Sequence, residues 1–186
     1  YAAHAEEMGA KVPSEPMIFL KPHTALARPG GGDLFVPEDL GELHFEIELV
    51  LLLGEGGKNL TDHEGEQRIA GYGVGLDLTL RGVQARAKEK RAPWTVAKGF
   101  DGSAPVGEFI PAGENLSKVP RSLELKVNGE KRQAGNTDQM IFSPGRIVSF
   151  ASRYFTLEAG DLFFTGTPPG VGPLHDGDHV TGSIEG

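Results

Sequence analysis

His44-Phe45-Glu46-Ile47-Glu48-Leu49-Val50 alternates polar and apolar side chains, the period-2 pattern of a β-strand with two unlike faces. Read as part of one strand from Glu42 to Leu53, it puts Phe45, Ile47, Leu49 and Leu51 on an apolar face and His44, Glu46 and Glu48 on the other. Alternate residues on a strand stand about 6.6 Å apart. Two carboxylates at that separation repel by roughly 2.5 kcal/mol at an effective dielectric of about 20. Val50 and Leu52 continue the acidic face, so the acids are leaving water where they sit. A bound cation answers both the repulsion and the desolvation. The other reading of the same pattern is a face of salt-bridged or solvated acids.

The next strand outward, Tyr72 to Leu80, contains Gly75-Leu76-Asp77-Leu78-Thr79. An aspartate inside an apolar strand runs against strand preference and supplies a third acid. Glu46, Glu48 and Asp77 then make an all-oxygen site. With no cysteine in the chain, oxygen ligands select a hard divalent ion, Mg²⁺, Mn²⁺ or Ca²⁺. Three carboxylates plus waters leave positions for a substrate, which suits Mg²⁺ or Mn²⁺ chemistry better than a closed Ca²⁺ site.

The remaining elements are mostly short strands. Residues 2–8 form a short helix closed by Gly9. Met17 to Leu20 reads as a buried strand, and residues 28–41, rich in Gly and Pro, as a loop or hairpin. Thr61-Asp62-His63-Glu64 has the form of a capping box, which predicts a helix to about Ala70 stopped by Gly71. A second helix is predicted over Val83 to Lys90. Leu123 to Val127, Asn128-Gly129 and Lys131 to Gln133 form a hairpin. Ser143-Pro144 supplies an N-cap and an N1 proline for a helix to about Arg153. Leu162 to Thr165 and His179 to Ile184 are further strands. Many strands with few helices predict a β-rich α+β domain, a sandwich or roll, over residues 1–186.

The 186 residues carry Lys+Arg 18 against Asp+Glu 26, so 18 − 26 gives a net charge of −8. That balance argues against nucleic acid or an anionic membrane as a partner. The absence of cysteine excludes disulfides, Cys-ligated metals and thiol nucleophiles. The longest apolar run, Leu49 to Leu53, falls far short of the ~18 residues of a membrane span. The expected compartment is the cytoplasm. The chain begins at Tyr1 without a Met and reads as the ordered part, or a fragment, of a somewhat longer protein.

Other residues carry candidate chemistry. His4 and Glu7 share a helix face at i, i+3, where a carboxylate can fix the imidazole tautomer and raise its basicity; the competing reading is a frayed terminus. Lys21 and Lys98, each flanked by apolar residues, either face an anionic substrate or snorkel to water. Arg81 and Gln84, also at i, i+3, either contact a carboxylate or are solvated. Thr165-Gly166-Thr167-Pro168-Pro169-Gly170-Val171-Gly172 offers hydroxyls and glycines able to cradle a carboxylate or phosphate, without the Gly-Lys-Ser/Thr of a P-loop.

Taken in order, these segments resemble a known family. The set is Tyr1-x-x-His4-x-x-Glu7-Met8, Phe19-Leu20-Lys21-Pro22, His44-x-Glu46-x-Glu48-Leu49, Gly71-Tyr72, Asp77-x-Thr79-x-Arg81-x-x-Gln84, Pro93-Trp94-x-x-Ala97-Lys98-x-Phe100-Asp101, Asn128-Gly129-x-x-x-Gln133, Met140-Ile141-Phe142 and Thr165-Gly166-Thr167-Pro168-x-Gly170-Val171-Gly172. It is similar to the fumarylacetoacetate hydrolase family, in the short single-domain branch of acylpyruvases, oxaloacetate decarboxylases and oxaloacetate tautomerases.

The resemblance implies a mixed β-sandwich roll of the family's C-terminal-domain type, a homodimer, and Mg²⁺ or Mn²⁺ on Glu46, Glu48 and Asp77. It implies a catalytic dyad of His4 and Glu7 in a lid, Lys98 as a further catalytic group, and a substrate site lined by Lys21, Arg81, Gln84 and Thr167. The implied reaction works on small 2-oxo acids through a metal-stabilised enolate: acylpyruvate C–C hydrolysis, oxaloacetate decarboxylation or keto–enol tautomerisation. The alternatives are a 2-hydroxyhepta-2,4-diene-1,7-dioate isomerase/decarboxylase, a fumarylpyruvate hydrolase, and a non-catalytic metal- or ligand-binding module. Two departures stand out. Arg81-Gly82-Val83-Gln84 replaces the family's Arg-Asp-x-Gln, which predicts a looser helix start. The family's flanking strands before Tyr1 and after Gly186 are also absent.

Overall fold

A computed structural model of the chain describes residues 1–7, 9, 11–27, 33–36, 40–113 and 116–185. In chain order its elements are α1 (Ala2–Glu7), β1 (Leu26–Ala27), β2 (Leu43–Phe45), β3 (Ile47–Leu53), α2 (Asp62–Gln67), β4 (Ile69–Leu76), β5 (Thr79–Leu80), α3 (Arg81–Lys90), α4 (Thr95–Lys98), β6 (Ala104–Pro105), β7 (Ile110–Pro111), β8 (Ser122–Val127), β9 (Glu130–Asn136), α5 (Pro144–Ser152), β10 (Leu162–Phe164), β11 (Gly172–Leu174) and β12 (Val180–Glu185). Among the described residues no helix is long and apolar enough to cross a membrane.

The strands form a four-stranded sheet β10-β3-β4-β7, two three-stranded sheets β11-β2-β5 and β12-β8-β9, and a two-stranded parallel pair β1-β6. Apart from that pair, every strand pairing among the described residues is antiparallel. Ile47, Leu49, Leu51 and Leu53 of β3 meet Leu123, Leu125 and Val127 of β8 in one buried cluster. This is the β-rich α+β roll that the sequence implies.

Three chain segments change sheets at one level of the roll. Between β2 and β3 the chain passes from the three-stranded β11-β2-β5 sheet to the four-stranded one, and the residue at the corner is Glu46. Between β4 and β5 it passes back, through Asp77 and Leu78. Between β10 and β11 it passes back again, through residues 165–171. Strands that switch sheets do so at bends. The reading of Glu42–Leu53 and Tyr72–Leu80 as unbroken strands is therefore corrected: the period-2 pattern runs on across each corner and hides it.

Local signals behave as expected. Asn128 and Gly129 take positive φ, 53° and 81°, the geometry that a two-residue hairpin needs and that glycine supplies without strain. Ser143 caps α5 by accepting the Arg146 N–H, with Pro144 at the start. The Thr61–Glu64 capping box is present at α2. That helix ends at Gln67, earlier than predicted, because Ile69 already begins β4, and Gly71 lies inside that strand instead of stopping the helix. The helix predicted over Val83–Lys90 starts at Arg81 despite Gly82.

Met17–Leu20 is a second correction. It runs extended with no ladder partner among the described residues and is exposed, Met17 by 70% and Leu20 by 65%. Pro16 and Pro22 bracket it, and proline removes ladder donors. Its fixed points are the Phe19 ring, 5.9 Å from that of Trp94, and the side chain of Lys21. Met8 of the predicted first helix, and residues 28–32 and 37–39 of the predicted 28–41 loop, lie outside the described residues.

Candidate metal centre

The corners bring the three acids together. The Asp77 N–H donates to the Glu46 carbonyl at 2.9 Å, which zips the two corners side by side. Glu46, Glu48 and Asp77 each offer a carboxylate oxygen within 4.8 Å of the others, and all three residues are buried. On a regular strand Glu46 and Glu48 would stand on one face about 6.6 Å apart; around the corner their carboxylate oxygens come within 4.8 Å of each other and of Asp77.

Countercharge is shared unequally. Glu46 pairs with Arg81 Nη2 at 2.6 Å and with Lys98 Nζ at 2.8 Å. Asp77 pairs with Lys98 Nζ at 2.5 Å and with Lys21 Nζ at 2.8 Å. The ion pair to Lys21 is the contact of the buried Asp77 Oδ1 among the described residues. Lys21 spends its own donors on the Lys98 carbonyl and on Ser103. Glu48 forms no ion pair among the described residues, although the Lys98 charge acts on it from nearby; its hydrogen bond there is from the Gly166 N–H, at 2.6 Å.

The ionisation of these groups follows. Burial pushes Glu48 up to about 8, helped by the Asp77 and Glu46 charges. Burial also works against ionised Glu46, but Lys98 and Arg81 overcome it and hold that carboxyl below its ordinary value. Burial would lower Lys98, yet Asp77 and Glu46 raise it, so its ammonium stays charged. Lys21 is lowered by burial, with Asp77 opposing. Three buried acids whose oxygens converge within 4.8 Å, one of them outside any ion pair among the described residues, are a donor set that fits a hard divalent cation.

The other expected residues fall around this centre. Arg81 Nη1 donates to Gln84 Oε1 at 2.8 Å. Lys98 ends α4 with its ammonium 5.5 Å from the centroid of the Phe19 ring, so neither it nor Lys21 snorkels to water. His44 pairs with Glu42 and accepts from Arg81 Nε at 3.3 Å, and the same guanidinium holds Glu46; its cross-strand partner Thr79 also reaches Glu46 through its hydroxyl. His4 Nδ1 lies 3.1 Å from Glu7 Oε2. Glu7 in turn accepts the Gly170 N–H at 3.0 Å, which docks α1 on the loop whose Gly166 binds Glu48. Thr167 is buried; its hydroxyl donates to the Ile47 carbonyl at 2.7 Å and accepts from Gln133 Nε2 at 2.8 Å. Sequence reasoning gave Gln133 no role, although it stands in one of the quoted motifs.

The whole chain, residues 1–186, matches the family model described as fumarylacetoacetate (FAA) hydrolase, C-terminal. The chain belongs to the fumarylacetoacetate hydrolase family. It is an enzyme of that family, and the resemblance drawn from its motifs holds. Among its relatives is the oxaloacetate tautomerase YcgM of Escherichia coli, 46% identical over 190 residues, covering 100% of this chain and 85% of the relative. The mouse mitochondrial oxaloacetate tautomerase FAHD1 is also 46% identical, over 186 residues, covering 100% of this chain and 84% of the relative. Among solved structures, the fumarylpyruvate hydrolase of Pseudomonas aeruginosa in complex with Mn²⁺ and pyruvate superposes with a TM-score of 0.91 at 42% identity, covering 99% of this chain and 81% of that one. Family members thus include tautomerases and hydrolases on one fold.

Proposed function

We propose that this chain is a Mg²⁺- or Mn²⁺-dependent enzyme of small 2-oxo acids, with oxaloacetate keto–enol tautomerisation as its first activity. The observation that carries the reading is Glu48, buried outside any ion pair among the described residues and converging with Glu46 and Asp77. The names of the two tautomerase relatives support the choice of reaction. Glu46, Glu48 and Asp77 would hold the ion, which supplies a Lewis acid for the enolate charge of a 2-oxo acid. Lys98, kept charged by its two carboxylates, places a fixed positive charge beside the site and steadies negative charge on the substrate. Lys21 does the same from the Asp77 side. Arg81 orients Glu46 and, through its bond to Gln84, presents a fixed polar edge to a substrate carboxylate. Thr167 holds the adjoining strand, its hydroxyl already engaged.

The His4–Glu7 pair favours a second activity at the same centre. Glu7 orients the imidazole, which can take a proton from water; attack of that water on the distal carbonyl of an acylpyruvate then releases pyruvate as its enolate. A homodimer belongs to the same reading, supported by the exposed apolar run Met17 to Leu20.

The test is turnover of oxaloacetate enol and of acetylpyruvate with Mg²⁺, with EDTA, and in Glu46→Ala. The expected result is loss of both activities on chelation and in the variant. Turnover indifferent to EDTA overturns the proposal.

A further inference from the structure

Gln133 is 1% exposed and sits on β9, away from the three acids in sequence. Its Oε1 accepts the Ile47 N–H at 2.9 Å. Its Nε2 donates to Thr167 Oγ1 and to the Pro168 carbonyl, both at 2.8 Å. The Pro168 carbonyl can only accept, so the amide orientation is settled by its partners. With Nε2 donating to it, the Thr167 hydroxyl must send its own proton elsewhere, and it goes to the Ile47 carbonyl at 2.7 Å.

The result is a closed ring through one residue. Ile47 stands between Glu46 and Glu48, and both its backbone polar groups belong to this ring. The peptide before it is held by Gln133 through its N–H and by the Asp77 N–H through the Glu46 carbonyl. The peptide after it is held by Thr167 through the Ile47 carbonyl. Glu46 and Glu48 hang from these two peptides. The loop that closes the ring also presents Gly166 to Glu48 and Gly170 to Glu7, and it lies so close to β9 that a Cβ on Gly170 would stand 2.5 Å from the Arg132 carbonyl oxygen.

We propose that Gln133 is a positioning residue of the metal centre: its buried carboxamide fixes the two peptides that carry Glu46 and Glu48, and so the separation of their carboxylates. This rests on reading the three acids as a metal site. A side chain that touches no ligand atom but orients two of them sets metal affinity, because ion geometry tolerates little displacement.

The experiment titrates the full chain with Mn²⁺, following free Mn²⁺ by electron paramagnetic resonance, and records metal-free melting in EDTA. Gln133→Met, close in volume and unable to make the ring, is expected to bind Mn²⁺ about 10–100-fold more weakly and to alter the line shape of the bound ion. Ser152→Ala removes an equally buried hydroxyl on α5, where it bonds Leu60 and Ser149; it is expected to lower melting while keeping wild-type affinity. Thr167→Val breaks the other half of the ring and carries the same test if Gln133→Met does not fold. Wild-type affinity in a folded Gln133→Met or Thr167→Val overturns the proposal, as does equal weakening in Ser152→Ala. Failure of the wild-type chain itself to bind Mn²⁺ overturns the metal-site reading, and this proposal with it.

Discussion

Replacing Glu48 by glutamine is expected to stabilise the metal-free protein while abolishing metal binding. Burial and the neighbouring Asp77 and Glu46 charges push Glu48 up to about 8 from 4.5. The unfolded chain gives up that proton near 4.5, whereas the folded chain keeps it until about 8. Between those values the folded state binds more protons, so stability falls as pH rises; below them the cost vanishes, and above them it is complete. At pH 7 the gap spans about 2.5 pH units, or roughly 3 kcal/mol at ~1.4 kcal/mol per unit. The glutamine side chain has no proton to lose, and its amide oxygen still accepts the Gly166 N–H. For a chain of this size roughly 3 kcal/mol corresponds to about 6–12 °C in melting temperature. Thermal melts followed by circular dichroism, in EDTA at pH 5 and pH 8, should show the variant above wild type at pH 8 and close to it at pH 5. Adding Mn²⁺ should raise the wild type and leave the variant unmoved. A variant that melts at or below wild type at pH 8 in EDTA, or a difference that does not grow with pH, would refute the reasoning.

Lys98→Met should cost the metal-free protein about 3–5 kcal/mol, because Glu46 and Asp77 lose the cation they share while staying buried; a loss below about 1 kcal/mol in EDTA melts, the scale of a surface pair, contradicts this. Mn²⁺ should recover part of that loss. His4→Ala should lower acylpyruvate hydrolysis by about 10²–10⁴-fold and leave oxaloacetate tautomerisation intact; parallel loss of both activities counts against a water-activating dyad. Thr61→Ala should remove the α2 cap at a cost of about 1 kcal/mol in denaturant unfolding, with Mn²⁺ affinity unchanged.

That three acids gather at one place was legible because charge inside an apolar pattern is costly. Glu46, Glu48 and Asp77 stand out for that reason, and the motifs around them carried the family and its fold. Local elements were legible where one or two residues set the backbone: Asn128-Gly129 at the hairpin, Ser143-Pro144 at α5, the capping box at Thr61. Met17–Leu20 misled because its hydrophobicity matches a buried strand, while no described neighbour offers it a ladder and prolines bound it.

What the sequence by itself determined is which groups must be rescued from burial without water: the three acids, with Lys21, Arg81 and Lys98 marked only for an anionic substrate or for solvent. Only the tertiary structure decided how they are served. Three sheet-to-sheet corners meet at one level, so Asp77 and the loop from Thr165 to Val171 arrive beside Glu46 and Glu48 from distant parts of the chain. Which carboxylate receives a cation, and that Gln133 bridges the peptides beneath them, depends on contacts between residues far apart in order, and no periodicity along the chain encodes such contacts.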